Sequence, residues 1–77
     1  MEKGQGGPVV ELYGNRRAVV DGCDGIVDYD QEKVVLRAGR LTLEIQGEGL
    51  RLTRLTESSA VIQGRIHQVS YVYGERG

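Results

Sequence analysis

The chain has 77 residues, 39% hydrophobic and 27% charged, with ten Lys and Arg against eleven Asp and Glu. That length holds one small core and excludes a second domain, while the apolar content is too high for a disordered tail. A formal net charge of −1 argues against a polycation that holds nucleic acid by diffuse attraction. No apolar run approaches the ~20 residues of a membrane-spanning helix, and Met1–Pro8 lacks the apolar stretch of a signal peptide. The chain is therefore expected on the cytoplasmic side of the membrane. Its single cysteine, Cys23, closes no internal bridge, so stability must come from packing and from a partner rather than from a disulfide framework.

The glycines and proline of Gly4–Pro8 are costly to order, so residues 1–8 are expected to form a flexible lead. A single all-β domain follows over 9–74, with a short tail over 75–77. From Val9 onward, apolar runs are broken by turn residues at Gly14-Asn15, Gly22 to Gly25, Asp30 to Glu32, Gly39-Arg40, Gly47 to Gly49 and Glu57 to Ser59. This spacing predicts about six or seven short strands, mainly antiparallel. Within the runs the apolar period is two: Leu41, Leu43 and Ile45 alternate with Thr42, Glu44 and Gln46, and Leu50 and Leu52 flank Arg51. The β-branched pairs Val9-Val10, Val19-Val20 and Val34-Val35 suit pleated strands. Leu36, Leu41, Leu43, Ile45, Leu50, Leu52, Leu55, Ile62 and Ile66 form the expected core.

Two features of the last runs go further. Ile62 and Ile66 sit at even positions while Val69, Tyr71 and Tyr73 sit at odd ones, and one extra residue near His67-Gln68, a β-bulge, would return both sets to one face. The alternative is a final strand that buries both faces. In addition, Ile45-Gln46-Gly47 recurs seventeen residues later as Ile62-Gln63-Gly64. The echo fits successive hairpins or the rungs of a small solenoid, with the hairpin meander the expected arrangement; for the fold as a whole a two-layer sandwich is a further alternative.

Candidate chemistry is sparse. His67 is the only histidine, and with Cys23 it offers two metal ligands where a zinc site needs three or four. No metal or cofactor is expected. Cys23 lies between Asp21 and Asp24, whose carboxylates disfavour a thiolate, so nucleophilic catalysis is not expected either. The acidic stretch Asp21, Asp24, Asp28, Asp30 and Glu32 departs from the calcium-loop spacing and reads as a solvated sheet edge. Gly47-Glu48-Gly49 runs on into a strand instead of the helix start that a phosphate loop requires.

Eight of the ten basic residues are arginine, and Arg37, Arg51 and Arg65 fall at outward positions of neighbouring runs, a candidate anion-binding face for carboxylate or phosphate. Val69, Tyr71 and Tyr73 share one side of the last run and form a candidate interaction surface, tyrosine being frequent among interface anchors.

The stretches Leu43 to Leu55, in the pattern L-x-I-x-G-x-x-L-x-[IL]-x-x-L, and Ile62 to Tyr71, in the pattern I-x-G-x-I-x-x-[VIL]-x-[YF], resemble the YabP/YqfC family of small sporulation proteins. The likeness runs from about Val9 to Tyr73; Gly22, Tyr29-Asp30 and Tyr71 resemble the YabP branch more closely. Ala38-Gly39-Arg40 departs from it, standing where the family often has a threonine-containing turn. The resemblance implies a non-enzymatic protein of spore envelope assembly, cortex or coat, working through contacts with itself or with a sporulation membrane-protein partner. It implies no small-molecule substrate and no catalytic residue. A small binding module that captures an anionic ligand or nucleic acid on its arginine face is the alternative.

Overall fold

The computed structural model describes residues 8–73. The expected lead, apart from Pro8, and the expected tail over 75–77 lie outside the described residues. Six strands follow one another: β1 (Val9–Tyr13), β2 (Arg17–Asp21), β3 (Gly25–Tyr29), β4 (Lys33–Ala38), β5 (Leu41–Leu55) and β6 (Ser59–Tyr73). They form one sheet in the order β1-β2-β6-β5-β4-β3, with every pairing antiparallel. The all-β antiparallel expectation holds. Antiparallel neighbours throughout are incompatible with solenoid rungs.

Five of the six expected turn clusters separate strands, and the sixth does not. Gly47-Glu48-Gly49 lies inside β5, which runs on for fifteen residues, as does β6. Both long strands pass this point by bulging. Gln46 pairs with Gln68 and Gly47 with Ile66, which leaves His67 as the one extra residue that reconciles Ile62 and Ile66 with Val69 and Tyr71. Glu48 pairs with Arg65 and Arg51 with Gln63, so Gly49 and Leu50 together face Gly64. The same irregularity moves the inward positions of β5 from Leu43 and Ile45 to Leu50.

An isolated flat sheet leaves both faces wet, yet Val20, Val34, Leu36, Leu43, Ile45, Leu50 and Ile62 are fully buried in a single cluster. The sheet therefore covers itself. One half consists of β1, β2, the first arm of β6 and the last arm of β5; the other consists of β3, β4, the first arm of β5 and the last arm of β6. Both long strands bend where the halves meet.

Core membership follows this geometry. Leu41 and Leu52 are only half-buried and Leu55 is 48% exposed. Leu55 ends β5 just before the turn, at the far end of an arm paired on one side only. Val20 and Val34, on β2 and β4, each second from an edge of the sheet, fill the space instead, helped by Ala18, Ala60 and Cys23.

Candidate functional site

The two bends are built alike. At the β6 bend, Gly64 N–H donates to the Arg16 carbonyl at 3.0 Å and Ile66 N–H to the Asn15 carbonyl at 2.7 Å, so the β1–β2 turn lies against it. At the β5 bend, Gly47 N–H donates to the Glu32 carbonyl at 3.0 Å and Leu50 N–H to the Gln31 carbonyl at 2.8 Å, so the β3–β4 turn lies against that one. The strand order reads the same when β1-β2 is exchanged with β3-β4 and β5 with β6. An approximate two-fold relation thus connects the halves, and the Ile-Gln-Gly echo marks its equivalent points.

Only glycine fits at either. A Cβ on Gly47 would overlap the Arg65 carbonyl oxygen. Gly64 has φ +140, a conformation closed to L side chains, and a Cβ there would stand 2.6 Å from the Gly49 carbonyl oxygen.

Each bend borders an outward groove. Beside Gly64, a groove of about 450 Å³ is lined by Tyr13, Arg16, Arg17, Arg51 and Gln63. Register explains the convergence: Tyr13 pairs with Arg17, Arg17 with Gln63, and Gln63 with Arg51, which places all four on one cross-strand row. The Arg17 guanidinium stacks 4.5 Å above the centroid of the Tyr13 ring. Beside Gly47, a groove of about 610 Å³ is lined by Asp30, Glu32, Lys33, Glu48 and His67, with Gln46 and Gln68 on the corresponding row. Between them lies a third depression bounded by Arg16, Glu48, Gly49, Gly64 and Arg65. It shares Arg16, Gly49 and Gly64 with the basic groove and Glu48 with the acidic one, which makes a continuous strip across the bend.

The three arginines singled out from the sequence are all exposed but occupy different places. Arg51 lines the basic groove with Arg16 and Arg17. Arg65 lies in the middle of the strip, 3.8 Å from Glu48. Arg37 is on β4, opposite Thr42 in the other half. Sequence reasoning missed Arg16, Arg17 and Gln63 as neighbours of Arg51, because strand register rather than spacing along the chain brings them together.

A model of the YabP family matches residues 6–77. The chain belongs to the YabP family. No curated protein and no solved structure matches it. Membership gives this YabP chain a sporulation-related role. The glycines and aliphatics that carry its likeness to the family are the bend and the core: Leu43, Ile45, Leu50, Ile62 and Ile66 are buried, and Gly47 and Gly64 let β5 and β6 bend.

The remaining sequence candidates have local roles. Cys23 is 3% exposed, in a loop whose Gly22 and Cys23 N–H groups reach the Ser58 carbonyl. Burial pushes its thiol up, the Asp24 and Asp21 charges add to this, and a backbone hydrogen bond opposes it; a reactive thiolate needs the reverse. Exposed His67 reaches Glu48 at 4.0 Å. The acidic stretch caps turns: Asp24 Oδ2 accepts from Gly39 N–H at 2.6 Å, and Asp30 Oδ1 from the N–H groups of Glu32 at 2.7 Å and Lys33 at 2.9 Å. Among the described residues, no three His, Cys, Asp or Glu side chains are grouped to hold a metal ion. Nor is any helix among them long and apolar enough to cross a membrane.

The candidate interaction surface divides by residue. Val69 is half-buried and packs on the core, whereas Tyr71 is 54% exposed. The side chain of Tyr73 lies outside the described residues. Val72, on the opposite face of the same arm, is 45% exposed.

Proposed function

We propose that this YabP protein acts in assembly of the spore envelope, cortex or coat, through protein–protein contacts and without catalysis. It works on the cytoplasmic side of the sporulating cell, with itself or a sporulation membrane protein as partner. The observation that carries this reading is the last arm of β6. Ser59 to Gln63 pair with β2 on one side, but beyond the bend β6 pairs only with β5, so its outer edge is open among the described residues. Tyr71 and Val72 expose apolar surface on the two faces of that edge. An open edge bearing exposed apolar side chains is the arrangement that accepts another chain, by strand addition or by side-chain contact.

Tyr71→Asp tests the reading, because Tyr71 is exposed and its loss leaves the core intact. Sporulating cells carrying the substitution are expected to yield far fewer heat-resistant spores than wild type. The purified variant should unfold at the wild-type temperature. A wild-type spore yield from a normally accumulated variant would refute the role of this edge.

A further inference from the structure

The strip across the bend carries opposite charges at its two ends. The groove beside Gly64 presents the guanidiniums of Arg16, Arg17 and Arg51. The equivalent groove beside Gly47 presents the carboxylates of Asp30, Glu32 and Glu48 against the single ammonium of Lys33, with His67 at its margin. Near the basic end, Glu11 accepts a 3.3 Å hydrogen bond from Tyr13. In the middle, Glu48 and Arg65 pair with each other, and Gly49 and Gly64 leave the floor without side chains.

We propose that this strip is a homodimer interface, in which a second copy of the chain lies face to face and antiparallel on the first. A surface positive at one end and negative at the other is self-complementary when turned by 180°. Arg16, Arg17 and Arg51 of each copy then meet Asp30, Glu32 and Glu48 of the other, and the contact closes at two copies. The shallow glycine floor lets the two backbones approach at the centre, where Glu48 and Arg65 can exchange partners between copies. A polyanion would satisfy the basic end alone and leave the acidic end uncompensated; a second copy satisfies both. This surface is separate from the β6 edge and does not depend on its role.

Charge-swap complementation with the full chain tests the interface. One variant carries Arg17→Glu and Arg51→Glu; the other carries Glu32→Arg and Glu48→Arg. All four positions are exposed. Wild type is expected to be dimeric by light scattering in about 50 mM NaCl and to dissociate at least tenfold more readily in about 500 mM, since these rim charges are screened. Each variant alone should be monomeric, and an equimolar mixture should form a one-to-one heterodimer. Tyr71→Asp should leave the dimer intact, which separates this outcome from failure of the edge. The proposal is overturned by a wild-type monomer at low salt, by a salt-insensitive dimer, or by folded variants that both still dimerise. It is equally overturned by a monomeric wild type that binds short-chain polyphosphate through Arg17 and Arg51, which would make the basic groove a ligand site.

Discussion

In the half built on β1, β2 and the first arm of β6, the groove at the bend is basic; in the half built on β3, β4 and the first arm of β5, the matching groove is acidic. Beneath the charges the plan is the same: two carbonyls of a two-stranded hairpin turn accept hydrogen bonds from the N–H groups of a bend, and a glycine preceded by Ile-Gln stands at that bend. The positions kept alike are those where backbone meets backbone or side chains fill the core. Those that diverge face outward, where register fixes the direction of a side chain but not its charge. Repetition here specifies the fold, and departure from repetition specifies what the fold can touch.

The sharpest way to break the comparison is at its equivalent glycines. Gly47→Ala and Gly64→Ala should each cost about 3 kcal/mol, because the added methyl meets backbone that cannot swing away. Urea unfolding of the two variants should give similar losses; a tolerated alanine at either bend would show that the two are not equivalent.

A smaller effect separates the tyrosines that end β1 and β3. The Tyr29 hydroxyl accepts a 3.1 Å hydrogen bond from Leu52 N–H and so ties β3 to the last arm of β5, whereas the Tyr13 hydroxyl donates to the exposed Glu11 two residues away on its own strand. Tyr29→Phe should therefore cost about 1 kcal/mol and Tyr13→Phe close to nothing, measured by the same unfolding titration.

The smallest effect belongs to Cys23, buried in the β2–β3 loop that joins the two halves. Because burial raises its pKa, the folded chain retains a proton that the unfolded chain releases above about 8.5, so stability should fall as pH rises past that point. Cys23→Ala should flatten that part of the stability–pH curve, and the native thiol should react slowly with a disulfide reagent until the chain unfolds.

Much of this was legible in the sequence, because strand periodicity and turn residues are local signals. The alternation of Leu41, Leu43 and Ile45 places β5, and the parity change between Ile66 and Val69 locates the bulge at His67. Gly47 to Gly49 misleads as a turn, since the residues that close a turn also permit a bend when a neighbouring hairpin supplies the hydrogen bonds. Leu55 misleads as core because burial depends on what lies across the sheet, which period two does not encode. The arginine face is the clearest case. Arg17 and Arg51 are brought together by the pairing of both strands with β6 across Gln63, a non-local register that no spacing along the chain reveals.

The long hairpin also determines how the molecule comes apart. Each half takes its third strand from one arm of β5 or β6 and its fourth from the other, an exchange of arms within a single chain. Neither half is one contiguous segment of the chain, and neither can melt while the other persists, since Ala18, Val20, Ala60 and Ile62 from one and Val34, Leu36, Leu43 and Ile45 from the other fill a single core, and the loss of either side uncovers the rest. The repeat is therefore not two small domains side by side but one cooperative unit, and a lesion at either bend is felt across the whole sheet.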